Sequence, residues 1–357
     1  MIETGTTELA TLPGLASVES APSAQGRDHY LQRGPEGKLM LFSGRSNPDL
    51  AGQIADQLGI EMGDVKVKTF ANGEVYCRYL ESIRGADVFI VQSCAGQPTN
   101  DHLVELLSMI NAAKLASANR ITAVMPWFPY SRQDKKSAPR EPITAKLLAG
   151  CLEVAGVDRV LTMDLHAGQI QGFFSIPVDH MTALPLFAQY YRDKGLFGDG
   201  VVAVAPDPGR GKMTTRFAEF LEADVAYMSK TRPEHDVAEV TEVVGRERVR
   251  GKLAILSDDL IVTGSTLVSG ARALLDAGAT EVYACATHGL FPPNALEKLA
   301  ASELKEIAVT DTVPQNPLTI PDKLKVVTVS NLLAETIQNV FSGESVSMIF
   351  AGENQLF

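Results

Sequence analysis

Cysteine and long apolar runs are both scarce in this sequence of 357 residues. The four cysteines, Cys77, Cys94, Cys151 and Cys285, are widely spaced with no CxxC pair, which argues for reduced thiols and against a disulfide scaffold or a zinc site. No apolar run approaches the roughly 20 residues of a membrane-spanning helix, so we expect no membrane role. Neither a secretory nor an organelle-import pattern opens the sequence, and the expected compartment is the cytoplasm.

Positive charge is also in deficit. The chain has 32 lysine and arginine residues against 43 aspartate and glutamate residues, which gives a formal net charge of −11. Broad electrostatic attraction to nucleic acid is therefore disfavoured, and no nucleic-acid partner is expected. Small anionic ligands would need focused basic sites.

From Lys38 onward, short apolar runs alternate with helical stretches, such as a predicted helix at 48–58 and a predicted strand at 326–330. This alternation predicts parallel strands covered by helices, and the length suits two α/β domains. The predicted divisions are a disordered extension at 1–37, domains at 38–180 and 181–341, and a tail at 342–357. In such sheets, ligand-binding residues lie just beyond the carboxyl ends of the strands.

The segment 253–270, LAILSDDLIVTGSTLVSG, is the most informative. Its apolar run predicts a buried strand, Asp258 and Asp259 come where that strand ends, and residues 263–266 (TGST) precede a helical stretch. Small residues let backbone N–H groups surround a phosphate, hydroxyls add donors, and the helix N-terminus adds a favourable dipole. The segment therefore predicts a sugar-phosphate site, with carboxylates for sugar hydroxyls or Mg²⁺. The alternative is an ordinary strand-turn-helix unit with an acidic N-cap.

Two clusters in the first half also suit ligand binding. Phe70, Asn72 and Glu74 combine an aromatic ring with an amide and a carboxylate, which suits stacking on a purine; the alternative is a plain turn with a core-anchoring Phe. The stretch 127–136, WFPYSRQDKK, concentrates three cations in an acidic protein, and the guanidinium of Arg132 can engage phosphate oxygens in a bidentate manner. Both a polyphosphate site and a solvated loop rim fit the second cluster.

Acidic side chains and a histidine follow other predicted strands. Asp164 and His166 come at the end of an apolar run and suit a hydrated Mg²⁺ or a phosphate; the alternative is a structural histidine. The segment 205–215, APDPGRGKMTT, lacks the spacing of a P-loop, but Asp207 in it suits Mg²⁺ as a hard oxygen ligand.

A long polar stretch begins at Lys230 and Arg232 and continues to Gly251. Segments of this length without regular structure are often lids, and two cations at the base of a lid suit charge that develops during phosphoryl transfer. The alternative is a charged, solvent-facing loop with a β-ribbon around 237–244.

Together these clusters resemble the ribose-phosphate pyrophosphokinase (phosphoribosyl pyrophosphate synthetase) family from Leu39 to Phe350. The matching stretches, in the family's order, are FSGRSNPDLA, FANGE, ESIRGADVFIVQS, FPYSRQDKK, MDLHAGQIQGFF, IPVDH, ATHGLF and SVSMIF. The resemblance implies two tandem phosphoribosyltransferase-type, Rossmann-like domains and a tail that packs back on the first. It also implies transfer of pyrophosphate from Mg·ATP to O1 of ribose 5-phosphate with release of AMP, Mg²⁺ as cofactor, and hexamers built from dimers, with active sites between domains and across subunits.

The same resemblance implies a role for each matching residue. Lys230 and Arg232 are implied to stabilise the transition state. The implied ATP-binding residues are Phe70, Asn72, Glu74, Arg132, Gln133 and His166, and those for ribose 5-phosphate are Arg232, Asp258, Asp259, Thr263, Gly264, Ser265 and Thr266. The implied metal ligands are His166, Asp207 and Asp164, and a regulatory phosphate site matches Ser82, Arg84, Ser345 and Ser347.

One departure from the family keeps two alternatives open. Val262 stands where the family usually has a third Asp in the sugar-phosphate loop, which predicts an altered affinity for the sugar. It favours a non-catalytic homologue that binds and regulates a true synthetase. A phosphoribosyltransferase is the second alternative, which explains 253–270 but not the ATP-like clusters of the first half.

Overall fold

The computed structural model describes residues 31–33, 37–96, 98–231 and 240–347. Two mainly parallel sheets flanked by helices fill these ranges, which confirms the predicted α/β fold class. Arg232, most of the predicted N-terminal extension and residues 348–357 of the predicted tail lie outside the described residues. Leu31–Arg33 form a strand paired with the next one, so the prediction of disorder is wrong for these residues.

The first half of the chain forms a six-stranded sheet and a separate hairpin. Its strands are β1 (Leu31–Arg33), β2 (Gly37–Ser43), β3 (Val65–Thr69), β4 (Val75–Tyr79), β5 (Asp87–Val91), β6 (Arg120–Met125), β7 (Arg159–Met163) and β8 (Val178–Met181). The sheet order is β1-β2-β5-β6-β7-β8, with β1 antiparallel to β2 and the other pairs parallel. β3 and β4 pair with each other. Its helices are α1 (Pro48–Leu58), α2 (Thr99–Leu115) and α3 (Thr144–Ala155).

The second half forms a seven-stranded sheet. Its strands are β9 (Val201–Ala205), β10 (Asp224–Thr231), β11 (Val240–Val244), β12 (Leu253–Ile261), β13 (Glu281–Gly289), β14 (Glu306–Thr310) and β15 (Leu324–Val327). Their order is β11-β10-β9-β12-β13-β14-β15, with β11 antiparallel to β10 and the other pairs parallel. The helices are α4 (Leu184–Asp193), α5 (Gly211–Leu221), α6 (Arg246–Val249), α7 (Ser265–Asp276), α8 (Ala295–Ala300) and α9 (Ser330–Ser342).

A shared apolar core joins the two halves. Leu41 and Ile54 from the first half lie in the same buried cluster as Phe217 and Ile337 from the second. Helix α9, the last helix among the described residues, packs against α1 of the first half. The predicted domain boundary near 180 falls within β8 and stays a prediction.

The prediction of a long segment without regular structure up to Gly251 is wrong in part. β11 and α6 occupy most of its described portion, and β11 pairs with β10 so that Lys230 lies opposite Thr241. This pairing agrees with the alternative of a β-ribbon over the residues that are described.

In the whole described part of the chain, no helix combines the length and the apolar character that crossing a membrane requires.

Candidate active site

Strand ends from both sheets meet around a cavity of about 410 Å³. β7 of the first sheet leads to His166, whereas the neighbouring strands β9 and β12 of the second lead to Asp207 and to the TGST segment. Nine predicted site residues line the cavity, namely Arg132, His166, Asp207, Asp258, Asp259, Thr263, Gly264, Ser265 and Thr266. Arg210 and Val262 line it as well. The cavity therefore combines groups predicted to bind phosphate, sugar and metal.

Four charged or polar side chains form a network in one wall of this cavity. Nδ1 of His166 lies 2.8 Å from Oδ2 of Asp259 and 3.0 Å from Nη2 of Arg210, which also donates to Oδ1 of Asp259 at 2.6 Å. Nε of Arg210 also lies 3.5 Å from Oδ1 of Asp258. Because both neighbours contact Nδ1, Nε2 is the nitrogen of His166 that remains for a ligand.

Arg210 is the residue of this network that sequence reasoning missed. It ends a short 3₁₀ turn, Pro208–Arg210, which Asp207 caps by accepting a hydrogen bond from N of Gly209 at 2.8 Å. The sequence shows a cation here but not its partners, because Asp258 and Asp259 are supplied by a different strand. The signal that was available is a basic residue three positions after Asp207, the carboxylate that follows the end of β9 at Ala205.

The two adjacent carboxyl groups have opposite pKa shifts. Burial raises the pKa of Asp258 well above its usual value, and the neighbouring charge of Asp259 raises it further. Burial also opposes the ionisation of Asp259, but the hydrogen bond from His166 and the charge of Arg210 outweigh it and lower its pKa to about 2. Asp259 is thus the ionised member of the pair, and Asp258 is the one that a bound cation would ionise.

The TGST segment makes a tight turn before α7. Gly264 has a φ of 72°, in the left-handed region that favours glycine. A Cβ at this position would lie 2.7 Å from Cδ2 of Leu299, so the close approach of α8 also requires glycine. α7 begins at Ser265, and the first N–H groups of a helix have no partner within it. A loop of this kind at a helix N-terminus suits the binding of a phosphate.

The predicted adenine-binding residues lie apart from the cavity within one chain. Phe70, Asn72 and Glu74 belong to the turn between β3 and β4, and none of these three described residues lines the cavity. The ring of Phe70 is 42% exposed, with Nζ of Lys68 4.6 Å from its centroid. The alternative in which Phe70 anchors the core is therefore wrong, because the ring faces solvent.

Two other predicted residues make structural contacts instead of lining the cavity. Oε1 of Gln133 accepts a hydrogen bond at 2.5 Å from the hydroxyl of Thr144, the first residue of α3. Asp164 is buried, and its Oδ2 accepts from N of Ala183 at 2.9 Å and from the hydroxyl of Thr287 at 2.6 Å. Because Thr287 belongs to β13, Asp164 joins the two sheets, and its position does not support the predicted role as a metal ligand.

The backbone of Lys230 lies at the same edge of the sheet as Asp207. β10 runs parallel to β9, and Tyr227 pairs with Ala205, the last residue of β9. Lys230 is three residues further along β10, so this strand extends past the level at which β9 turns toward Asp207. Its predicted partner, Arg232, lies outside the described residues.

The predicted regulatory residues occupy two exposed sites. Ser82 and Arg84 lie between β4 and β5, whereas Ser345 and Ser347 follow α9. The hydroxyl oxygens of Ser345 and Ser347 are 2.7 Å apart. A role for them in binding a regulatory phosphate stays a prediction.

A buried histidine makes the segment before His166 sensitive to acid. Nε2 of His180 accepts a hydrogen bond from N of Leu165 at 2.8 Å, and burial lowers the pKa of His180 to about 4. Because this pKa lies below that of an unfolded histidine, the native state loses stability as the pH falls from about 6.5 toward 4. We expect this group alone to lower the free energy of unfolding by about 2 kcal/mol between about pH 7.5 and pH 5.

Urea unfolding at both pH values measures this effect. The variant His180→Gln keeps an acceptor for Leu165 but cannot take up a proton, so the loss between the two pH values should shrink by about 2 kcal/mol. His102→Gln, which changes a partly exposed histidine of α2, serves as the control. A His180→Gln variant with the full pH dependence of the unmodified chain would contradict the assignment.

The mainly parallel sheets and the TGST segment at their strand ends are typical of an α/β enzyme with a phosphate-binding site. One family model, described as the N-terminal domain of ribose phosphate pyrophosphokinase, matches residues 39–156. A second, described as a phosphoribosyl synthetase-associated domain, matches residues 229–351. The chain belongs to the ribose-phosphate pyrophosphokinase family, as the sequence motifs predicted.

Relatives and a solved structure agree with this membership. A protein of Caldanaerobacter subterraneus subsp. tengcongensis named ribose-phosphate pyrophosphokinase is 51% identical over 87% of this chain and 98% of its own length. One of the same name from Fusobacterium nucleatum is 47% identical over the same shares. The crystal structure of phosphoribosylpyrophosphate synthetase from Mycobacterium smegmatis matches with a TM-score of 0.79 and 42% identity, over 85% of this chain and 99% of that one.

Proposed function

We propose that this protein transfers the β,γ-pyrophosphoryl group of Mg·ATP to O1 of ribose 5-phosphate, giving 5-phosphoribosyl 1-pyrophosphate and AMP. The observation that carries the proposal is the cavity at the junction of the two sheets. It brings together Arg132 and His166 from the first half and Asp258 and the TGST segment from the second. One cavity thus offers groups for a nucleotide's phosphates and for a phosphorylated sugar.

In this reaction the protein contributes positioning and charge stabilisation. The hydroxyl oxygen O1 of the sugar attacks the β-phosphorus, the bond from that phosphorus to the bridging oxygen of AMP breaks, and negative charge develops on the leaving group. The proton of the O1 hydroxyl is released to solvent. The TGST segment would hold the 5-phosphate, and Asp258 would accept hydrogen bonds from sugar hydroxyls. Arg132 and Nε2 of His166 would bind phosphate oxygens of ATP. Alignment of this kind supplies a large part of the rate enhancement in phosphoryl-type transfer.

Magnesium fits this site as part of the substrate complex. Among the described residues, no group of three or more His, Cys, Asp or Glu side chains is arranged to hold a metal ion by itself. Mg²⁺ commonly binds through one or two carboxylates, several waters and the phosphates of a substrate. The carboxylate of Asp207, which is exposed at the cavity, and the carboxyl group of Asp258 suit that mode. When bound, Mg²⁺ neutralises phosphate charge.

The exposed hairpin turn suggests that the site is shared between copies of the chain. Phe70, Asn72 and Glu74 lie away from the cavity of their own chain and are open to solvent. We therefore propose that they bind adenine in the cavity of a neighbouring subunit, within dimers that form a hexamer. Ser82, Arg84, Ser345 and Ser347 are proposed to bind a regulatory phosphate, and the cytoplasm is the proposed compartment.

Formation of AMP tests the proposed reaction. Purified protein is incubated with Mg·ATP and ribose 5-phosphate, and AMP and the pyrophosphorylated sugar are quantified together. We expect equimolar products that require both substrates. ATP alone, and ATP with unphosphorylated ribose, are the matched controls, because neither fills the TGST segment.

Two additional incubations, one with an active synthetase and one with 5-phosphoribosyl 1-pyrophosphate and a nucleobase, separate the two alternatives. A non-catalytic regulatory homologue would give no AMP, and it would instead alter the rate of an active synthetase added to the assay. A phosphoribosyltransferase, given 5-phosphoribosyl 1-pyrophosphate and a nucleobase, would transfer the phosphoribosyl group to the base and release pyrophosphate. Either of these results without AMP formation would overturn the proposal.

A further inference from the structure

The short helix α8 supports the TGST segment by two different contacts. Leu299 packs closely against Gly264, since a Cβ added to that glycine would lie 2.7 Å from the leucine side chain. The preceding residue, Lys298, donates from Nζ to the hydroxyl oxygen of Ser265 at 2.8 Å. Lys298 and Ser265 also line a second depression of about 910 Å³, and Ser265 lines the active-site cavity as well. Lys298 therefore approaches the loop from outside that cavity.

The hydrogen bonds around Ser265 determine what its hydroxyl can do. A lysine ammonium group has donors only, so the serine oxygen must accept from Lys298. The hydroxyl oxygen of Thr263 lies 3.3 Å from the same oxygen, which is longer than an ordinary O–H···O hydrogen bond. A hydroxyl has one proton and two lone pairs. Because Ser265 accepts from Lys298, its own proton must be directed elsewhere and needs an acceptor.

We propose that Lys298 is a positioning residue for the 5-phosphate of ribose 5-phosphate, acting through Ser265. It orients the Ser265 hydroxyl as a donor toward the cavity and adds a positive charge near the phosphate. The inference rests on the proposed function, because it takes the TGST segment to bind that phosphate. Phosphate dianion oxygens only accept hydrogen bonds, so they match a hydroxyl whose proton is directed away from Lys298.

The charges that line the cavity support this role. Asp207, Asp258 and Asp259 are three carboxyl groups around a site for two phosphorylated substrates. Arg210 is already paired with Asp258 and Asp259, so its charge is largely balanced. Lys298, whose described contact is to the neutral hydroxyl of Ser265, contributes charge at the end of the cavity where the sugar phosphate would bind.

Steady-state kinetics with ribose 5-phosphate tests the proposal. We expect Lys298→Met to raise KM for ribose 5-phosphate about fivefold, with kcat and KM for ATP changed less than about twofold. Ser265→Ala should have a similar effect. Because Lys298 acts largely through Ser265 and otherwise adds only an exposed charge, the double variant should be clearly less impaired than the product of the two single effects. Lys298→Arg should restore most of the affinity.

Lys305→Met is the matched control, because Lys305 is also exposed and bonds to Glu281, 3.2 Å away, instead of to the loop. Titration calorimetry with ribose 5-phosphate is the second readout, since it reports binding whether or not AMP forms. An unmodified chain that binds ribose 5-phosphate but forms no AMP would overturn the proposed reaction alone. An unchanged affinity in Lys298→Met, or fully additive losses in the double variant, would overturn the role of Lys298.

Discussion

Replacing Lys230 by alanine is expected to lower kcat about 10³-fold while KM for ATP changes less than about threefold. The family resemblance assigns this lysine to the transition state. β10 carries its backbone to the sheet edge at which Asp207 lines the cavity. A cation that acts on charge developing only during transfer stabilises the transition state more than the bound substrates, so kcat falls and binding is largely kept.

Initial rates of AMP formation over a matrix of both substrate concentrations measure this split. Lys252→Ala is the control, because Lys252 is a lysine of the same half that pairs with Asp224 at 2.6 Å. The control should keep kcat within about twofold. If Lys230→Ala weakened ATP binding as much as it lowered turnover, the lysine would be a ground-state contact and the assignment would be wrong.

Replacing Arg210 by methionine is expected to destabilise the protein by about 3 kcal/mol at pH 7 and to lower kcat/KM at least about tenfold. Methionine keeps much of the side-chain volume but removes the cation between Asp258 and Asp259. Asp259 is 3% exposed, so its charge would then depend mainly on His166. Nη2 of Arg210 also lies 3.0 Å from Nδ1 of His166 and donates to its backbone oxygen at 3.3 Å, so we expect the loss of Arg210 to let the ring reorient and to misplace Nε2 in the cavity.

The pH dependence distinguishes a charge effect from simple loss of packing. Without Arg210, the pKa of Asp259 rises from about 2, and the variant takes up a proton that the unmodified chain does not bind. The stability deficit should therefore shrink as the pH is lowered from 7 toward 4. Denaturant unfolding of both proteins across this range checks the sign. A deficit that is constant with pH would show that packing, not charge, is lost.

Arg216→Met is the control for that comparison. Arg216 lies on α5 and pairs with Glu219 at 2.8 Å on the protein surface. A surface pair of this kind contributes about 0.5 kcal/mol or less. Its replacement should leave both the unfolding free energy and kcat/KM close to those of the unmodified chain.

The regular elements of the fold could largely be predicted, because their signals are local. The helix predicted at 48–58 has these bounds in the structure, with Pro48 in its first turn and Gly59 in the left-handed conformation after its last. The strand predicted at 326–330 is wrong at its end. Thr328 accepts a hydrogen bond from N of Ser330, which begins α9, and the β-branched run concealed this start.

The site could be predicted in its residue types but not in its connections. Motifs identified the groups that line the cavity, since strand ends in parallel sheets gather at one edge. The partners of Asp259 and Asp164 come from distant parts of the chain: Arg210 and His166 for the first, Thr287 for the second. The pairing of Asp259 with His166 and that of Asp164 with Thr287 depend on how the two halves dock, whereas that of Asp259 with Arg210 depends on neighbouring strands of one sheet. No local pattern specifies either kind of pairing, so the contacts of Asp164, Arg210 and Lys298 could not be predicted, and a metal-binding role for Asp164 stays a prediction.

The docking of the halves also limits how the molecule can move. Hydrogen bonds such as that from Thr287 to Asp164 cross between the sheets, and α9 covers α1 over apolar side chains that both halves share. Separating the two halves would expose that apolar surface. It would also leave buried acceptors such as Asp164 without their hydrogen-bond donors. We therefore expect the two sheets to move together, so that substrates reach the cavity by local movement at its rim.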